Sequence, residues 1–186
     1  INFILSAYVE IFRGTPMMVQ SVIIFYGLKQ YFDIDLSTMF AAILIVSINT
    51  GAYMSEVVRG GINSIDNGQF EACKAIGMTH FQTMTNVVLP QAVKNILPSL
   101  GNEFVINIKD TSVLNVISVT ELFFMSKSVA GSTYQYFPTY LITAVIYLVL
   151  TFTITRLLLL LERRFNDRDF ILESSTGAIN VNTQSK

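Results

Sequence analysis

The sequence predicts an all-α fold, a polytopic bundle of membrane-spanning helices, on three observations. The 186 residues carry only 12 Lys or Arg and 13 Asp or Glu, so 13% are charged, about half the roughly 25% usual for soluble domains. Hydrophobic residues reach 52% and mean hydropathy is +0.53. The charges are spaced to leave long apolar stretches, and no series of ~10-residue alternating segments announces a membrane barrel.

The stretches follow in order. Gly14 to Leu28 is uncharged and extends through polar ends to about Tyr31. Leu36 to Ser55 is 20 residues without a charge, the ~20 that a helix needs to cross the hydrocarbon core. Pro90 to Lys109 is apolar on average but carries Lys94, Asn102, Glu103 and Asn107. Ionisable groups in a span are costly and face a bundle interior or a water-filled path. Thr111 to Thr120 is β-branched and too short to cross alone, so it either continues that helix or forms a re-entrant piece buried in protein. Ser128 to Thr155 is 28 residues without a charge, followed by Arg156 and five leucines. Pro16, Pro90 and Pro138 start apolar stretches, where a first helical turn tolerates a missing N–H. Pro98 is expected to kink or interrupt its helix.

Arg13, Arg59, Lys74, Arg163, Arg164 and Arg168 fall on one side if the chain crosses four times. Their excess marks that side as cytoplasmic, with both visible ends inside. The expected organisation is a membrane domain over 1–165, with a cytoplasmic loop at 60–89, and a flexible cytoplasmic tail over 166–186.

Several functions are excluded early. Net charge is −1, which gives no global electrostatic case for nucleic acid. One cysteine and one histidine exclude a CxxC site, an HExxH site and an internal disulfide. No Gly precedes a Lys, so the phosphate-binding GxxxxGK(S/T) loop is absent.

The connection between Arg59 and Pro90 is long for a bundle, and connections beyond ~12–15 residues usually carry structure or function of their own. Gly60 and Gly61 are expected to end the preceding span, and Asp66 or Asn67 to cap a short helix. Gly77 suits a left-handed stop. Met78 to Leu89 then shows Phe81, Met84, Val87 and Val88 at helical spacing. A short helix carrying the small residues Ala72, Cys73 and Ala75 either seats in another protein's groove or lies on the lipid surface.

This stretch resembles the EAA-xxx-G-x9-I-x-LP signature of the membrane subunits of bacterial ABC importers. It runs Glu71-Ala72-Cys73, Gly77, Val87-Val88-Leu89-Pro90 with every spacing kept. Cys73 stands for the second Ala and Val87 for Ile. Glu10 to Pro16 (EIFRGTP) is similar to permeases for polar amino acids. So are Asn49 to Tyr53, Gly101 to Phe104, Lys109 to Ser112, Val119 to Leu122 and Leu161 to Arg164.

The resemblance covers about residues 3 to 165 and implies five spans, the first of them missing here. It further implies a bacterial inner-membrane location, a second permease subunit (the same chain or another), a cytoplasmic ATP-binding subunit dimer, and an extracytoplasmic amino-acid-binding protein. Glu71, Ala72, Cys73, Ala75, Gly77, Leu89 and Pro90 are the expected ATPase-coupling residues. No cofactor is expected on this subunit, and no ATP hydrolysis.

An amino-acid zwitterion needs acceptors for its ammonium and donors for its carboxylate. Glu103, Asp110, Thr111 and Ser112 offer these along the third stretch, and Asn49, Tyr53 and Glu56 along the second. Such residues also hold helices together. A self-contained secondary transporter or channel is the alternative. It needs no loop of this pattern and would show matched polar halves, of which the sequence has no sign.

Overall fold

The computed structural model describes residues 2–183, with side chains described over 3–162, and has no strand among the described residues. Helix α1 (Asn2–Gly14) leads into α2 (Met17–Phe32), then α3 (Thr38–Asn63). The loop carries α4 (Asn67–Ala75), α5 (His80–Thr83) and a π-helical turn (Met84–Val88) that runs into α6 (Leu89–Asp110). A 3-10 segment (Thr111–Ile117), α7 (Leu122–Thr133) and α8 (Tyr136–Thr183) complete the chain.

Among the described residues two helices are long and apolar enough to cross a membrane, α3 and residues 136–162 of α8, and up to four spans result if each bent pair counts as one. The stretch expected from Gly14 to about Tyr31 forms α2, and the first bent pair adds a helix before it. Helix α1 is separate and meets α2 at 110°. Proline disfavours helical geometry in the residue before it, so the chain turns at Thr15-Pro16. Pro16 then caps α2, its carbonyl accepting from Val19 N at 3.0 Å and Gln20 N at 3.1 Å. The 16 residues of α2 extend only ~24 Å at 1.5 Å per residue, less than a full crossing.

Helix α3 holds the expected span but does not stop at Gly60-Gly61. It continues to Asn63 because Gly61 is where α3 presses on α6. A Cβ there would lie 2.2 Å from Ile96 Cγ1 and 3.3 Å from the Ala92 carbonyl. The glycine's missing side chain permits the crossing and costs the helix only about 1 kcal/mol in propensity.

Helix α6 passes through Pro98 without interruption, packed against both α3 and α8. The β-branched segment after it continues the helix as a tighter turn rather than leaving it. Leu114 and Ile117 are buried there against Ala41, Ala42 and Ile45 of α3, with Ile24 and Phe25 of α2 closing the cluster. The segment ends at Ser118, which adopts a left-handed φ of 64°.

The uncharged stretch from Ser128 to Thr155 is not one span. Tyr134, at φ 58°, ends α7 and α8 begins two residues later. Glu121 caps α7, accepting from Phe123 N and Phe124 N at 2.6 Å each. The Tyr147 hydroxyl of α8 donates to the same carboxylate at 3.2 Å. The Ser126 and Thr143 hydroxyls meet at 2.6 Å between α7 and α8. Pro138 sits in the first turn of α8, as expected. The tail expected over 166–186 lies outside the residues described with side chains.

Candidate functional site

The loop between α3 and α6 folds into a compact projection whose turns are each specified locally. Asp66 caps α4 by accepting from Gly68 N at 2.7 Å. Helix α4 stops at Gly77, whose φ is +78°. There Met78 N donates to Cys73 O at 3.0 Å and Gly77 N to Lys74 O at 3.1 Å, the paired bonds of a Schellman stop. Two residues on, Thr79 and Gln82 form a reciprocal capping box, with Gln82 N donating to Thr79 Oγ1 and Thr79 N to Gln82 Oε1. One helix ends and the next begins within four residues, which leaves little slack in the loop.

The projection has a dry underside. Ile65, Val88 and Ala92 are buried together, with Ile62, Phe70, Met84 and Ile96 packed around them. That cluster joins α3, α4, the π-helical turn and α6. The Asn95 side chain adds a hydrogen bond from α6 to Ser64 Oγ at 2.8 Å. The outer surface is different. Glu71, Ala72, Lys74, Ala75 and Gly77 are exposed, and Ile76 and Phe81 are 77% and 75% exposed.

Two expectations change here. Cys73 faces inward and is only 5% exposed, unlike its neighbours Ala72 and Lys74 on the outer surface. Phe81 faces outward, although its helical spacing put it on one face with the buried Val88. The π-helical turn lies between them and advances the register by a residue. Leu89 and Pro90 lie where that turn meets α6, with Leu89 N donating back to Met84 O.

The polar residues expected along the path separate into two groups. The first holds α1 and α2 onto α3. Asn49 is buried, and its Nδ2 donates to Gln20 Oε1 at 3.0 Å and to Phe12 O at 3.3 Å. Gln20 Nε2 lies within 2.9 Å of the carbonyls of Phe12 and Thr15 and of the Thr15 hydroxyl. These are the backbone groups freed by the break at Pro16. Glu56 pairs with Arg13 at 3.3 Å and Arg59 at 2.6 Å, and Arg13 lies 5.6 Å from the centre of the Tyr53 ring. The break at Pro16 and the loop end of α3 therefore occupy one level of the bundle. At the opposite end, Lys29 pairs with Asp35 at 2.6 Å.

The second group lies along α6. Glu103 lines a cavity of about 370 Å³ between α3, α6 and α8, together with Thr50, Met54, Asn107, Leu158 and Glu162. Thr50 Oγ1 donates to Asn107 Oδ1 at 3.0 Å, and Asn107 Nδ2 to the Glu103 carbonyl at 3.1 Å. Asp110 is exposed at the helix end. Thr111 turns its hydroxyl back to Ile108 O at 2.9 Å, and the Ser112 carbonyl accepts from Asn115. These last three do not line the cavity.

Sequence reasoning passed over Gln20, Thr50 and the pairing of Asn107. Gln20 carried a signal, being a lone amide inside an apolar stretch four residues after a proline. Thr50 and Asn107 are 57 residues apart, and only the packing of α3 on α6 joins them.

The family model described as binding-protein-dependent transport system inner membrane component matches residues 1–167. The probable amino-acid permease protein YxeN of Bacillus subtilis (strain 168) is 41% identical over 158 residues, covering 84% of this chain and 70% of that protein. The arginine transport system permease protein ArtQ of the same organism is 35% identical over 167 residues, covering 90% and 76%. Among solved structures, an amino acid ABC transporter crystallised with histidines superposes with a TM-score of 0.80 at 43% identity, covering 86% of this chain and 74% of that one. The inward-facing MetNI methionine ABC transporter gives a TM-score of 0.72 at 19% identity over 86% and 73%, a likeness of fold.

Proposed function

The chain belongs to the binding-protein-dependent transport system inner membrane component family, and we propose that it forms the translocation path for polar amino acids and is driven through its 60–89 loop by a separate ATP-binding subunit. It is a membrane-embedded permease subunit of an ABC transport system, a class that works with ATP-binding and substrate-binding partners. The observation that carries the coupling role is the loop itself. The signature from Glu71 to Pro90 folds into a projection with an exposed face of small, apolar and charged residues and a buried underside that grips α3 and α6 together.

In this reading Glu71, Ala72, Ala75 and Gly77 meet the cytoplasmic ATP-binding dimer. Cys73, Leu89 and Pro90 hold the projection on its base. Closure of the ATP-binding dimer moves α4, and the buried cluster passes that movement to α3 and α6 as a rigid-body displacement. Alternating access follows if the two positions of the bundle open on opposite sides.

A second permease subunit completes the path, and a binding protein delivers the amino acid from outside the bacterial inner membrane. Glu103 is the path residue that the cavity favours, since its carboxylate can accept from an ammonium beside the Thr50–Asn107 pair. Asn49, Tyr53 and Glu56 serve that path by holding its walls. The shared level of Arg13 and Arg59 agrees with the loop side being cytoplasmic, and a cytoplasmic C-terminus belongs to the same proposal.

The division of labour has a direct test. The purified chain alone turns over no ATP, and hydrolysis is seen when its ATP-binding subunit is added and rises further with the loaded binding protein. Turnover by the chain after rigorous removal of ATPases would refute the assignment.

A further inference from the structure

The π-helical turn between the loop and α6 has a specific cause and a specific consequence. Leu89 N donates to Met84 O, five residues back, where an α-helix would bond four back. The next residue is Pro90, which has no N–H to give and whose ring excludes a carbonyl four residues earlier in an α-helix. The turn widens by one residue just before the proline, and Gln91 supports the new course by donating its side-chain amide to Val87 O at 2.9 Å. A single-turn π-bulge of this kind is equivalent to one residue inserted into an α-helix.

The inserted residue decides which side chains reach the loop's underside. Thr83, Val88 and Ala92 are buried, five residues apart and then four. Thr85 and Asn86 are exposed between them. Without the wide turn, Val88 and Ala92 would keep their place on α3 while α5, and α4 with it, rotated by roughly 100° about the helix axis. Phe70 and Ile65 would then lose their seat, and the exposed face of α4 would point elsewhere.

We infer that Pro90 is a positioning residue that sets a one-residue register shift in the Met84–Val88 turn and thereby aims α4 at its partner. The inference rests on the coupling role proposed for the loop, but the register can be read without it. The first measurement is on the unsubstituted register: single cysteines from Thr83 to Ala92, in a Cys73→Ala background, are labelled with a water-soluble maleimide in membranes. Protection at 83, 88 and 92 is expected. Free labelling at 83, with full protection at the otherwise half-buried 84 in its place, would overturn the inference.

The second measurement uses compensation. Spin labels at Lys74 on α4 and Val93 on α6 report the aim of the loop. Pro90→Ala is expected to shift their separation by roughly 5 Å or more, as a turn of about 100° requires. Pro90→Ala combined with deletion of Asn86 removes the extra residue as well, and is expected to restore both the wild-type separation and uptake by the assembled transporter. Failure of the deletion to restore the separation would overturn the register role. Restored separation without restored uptake would leave the register in place and count against the coupling role instead.

Discussion

Gly77→Val abolishes most uptake by the assembled transporter while the chain still inserts and accumulates normally. The cause is backbone strain and not crowding, because a Cβ at Gly77 would meet nothing within 4 Å. Its φ of +78° is a conformation that costs an L-residue roughly 1–2 kcal/mol, and a β-branched residue is the least tolerant of it. The strain is relieved by unwinding the end of α4, which gives up the bonds from Met78 to Cys73 and from Gly77 to Lys74. The exposed face of Ala72, Ala75 and Ile76 then loses its fixed orientation, and a loss of uptake of about tenfold or more corresponds to 1.4 kcal/mol of lost coupling. Gly77→Asn is the control, since asparagine enters the left-handed region readily, and it retains most activity. Equal loss in both variants would mean that the side chain, and not the turn, is what matters.

Gln20→Leu lowers the thermal stability of the purified chain by about 1–3 kcal/mol, the cost of leaving buried polar groups without partners. Gln20 closes the break between α1 and α2, satisfying Phe12 O and Thr15 O and accepting from Asn49. Asn49→Leu removes one side of the same arrangement and is expected to cost a similar amount. The double variant should cost clearly less than the two single costs combined, because residues in one hydrogen-bonded network are coupled. Strict additivity in detergent-based thermal unfolding would show that the two side chains act separately.

The parts legible in the sequence were those written in local terms. Helix α3 and residues 136–162 of α8 follow from uninterrupted hydrophobicity, and the capping of α4 and its stop at Gly77 follow from Asp66 and a glycine in the right place. The helix breaks were less legible. Helix α1 before the Pro16 break was missed because Glu10 and Arg13 disqualify it as a span, although Arg13 is answered by Glu56 and Tyr53 across the bundle. The reversal at Tyr134 hid because a tyrosine in a left-handed turn leaves no compositional trace.

The inward turn of Cys73 left no trace in the sequence, because what buries a residue of the short α4 is set by how the rest of the loop folds back. Phe81 and Val88, seven residues apart, fall on different faces because the wider turn of Met84–Val88 interrupts the regular 3.6-residue period. Gly60-Gly61 read as a helix stop because glycine is a poor helix former, yet Gly61 serves a close crossing that only tertiary contact reveals. The cavity beside Glu103 belongs to the same class, since α3, α6 and α8 meet there from distant parts of the chain.

The central claim is that this chain moves an amino acid only when ATP is hydrolysed by a partner held at the 60–89 loop. The most direct measurement is uptake of a radiolabelled amino acid into proteoliposomes holding this chain, its permease partner and the ATP-binding subunit, with the binding protein outside. Uptake is expected only with ATP enclosed on the loop side, and to vanish when the ATP-binding subunit is omitted. Uptake by the chain alone, driven by an ion gradient and indifferent to ATP, would contradict the account and favour a self-contained transporter.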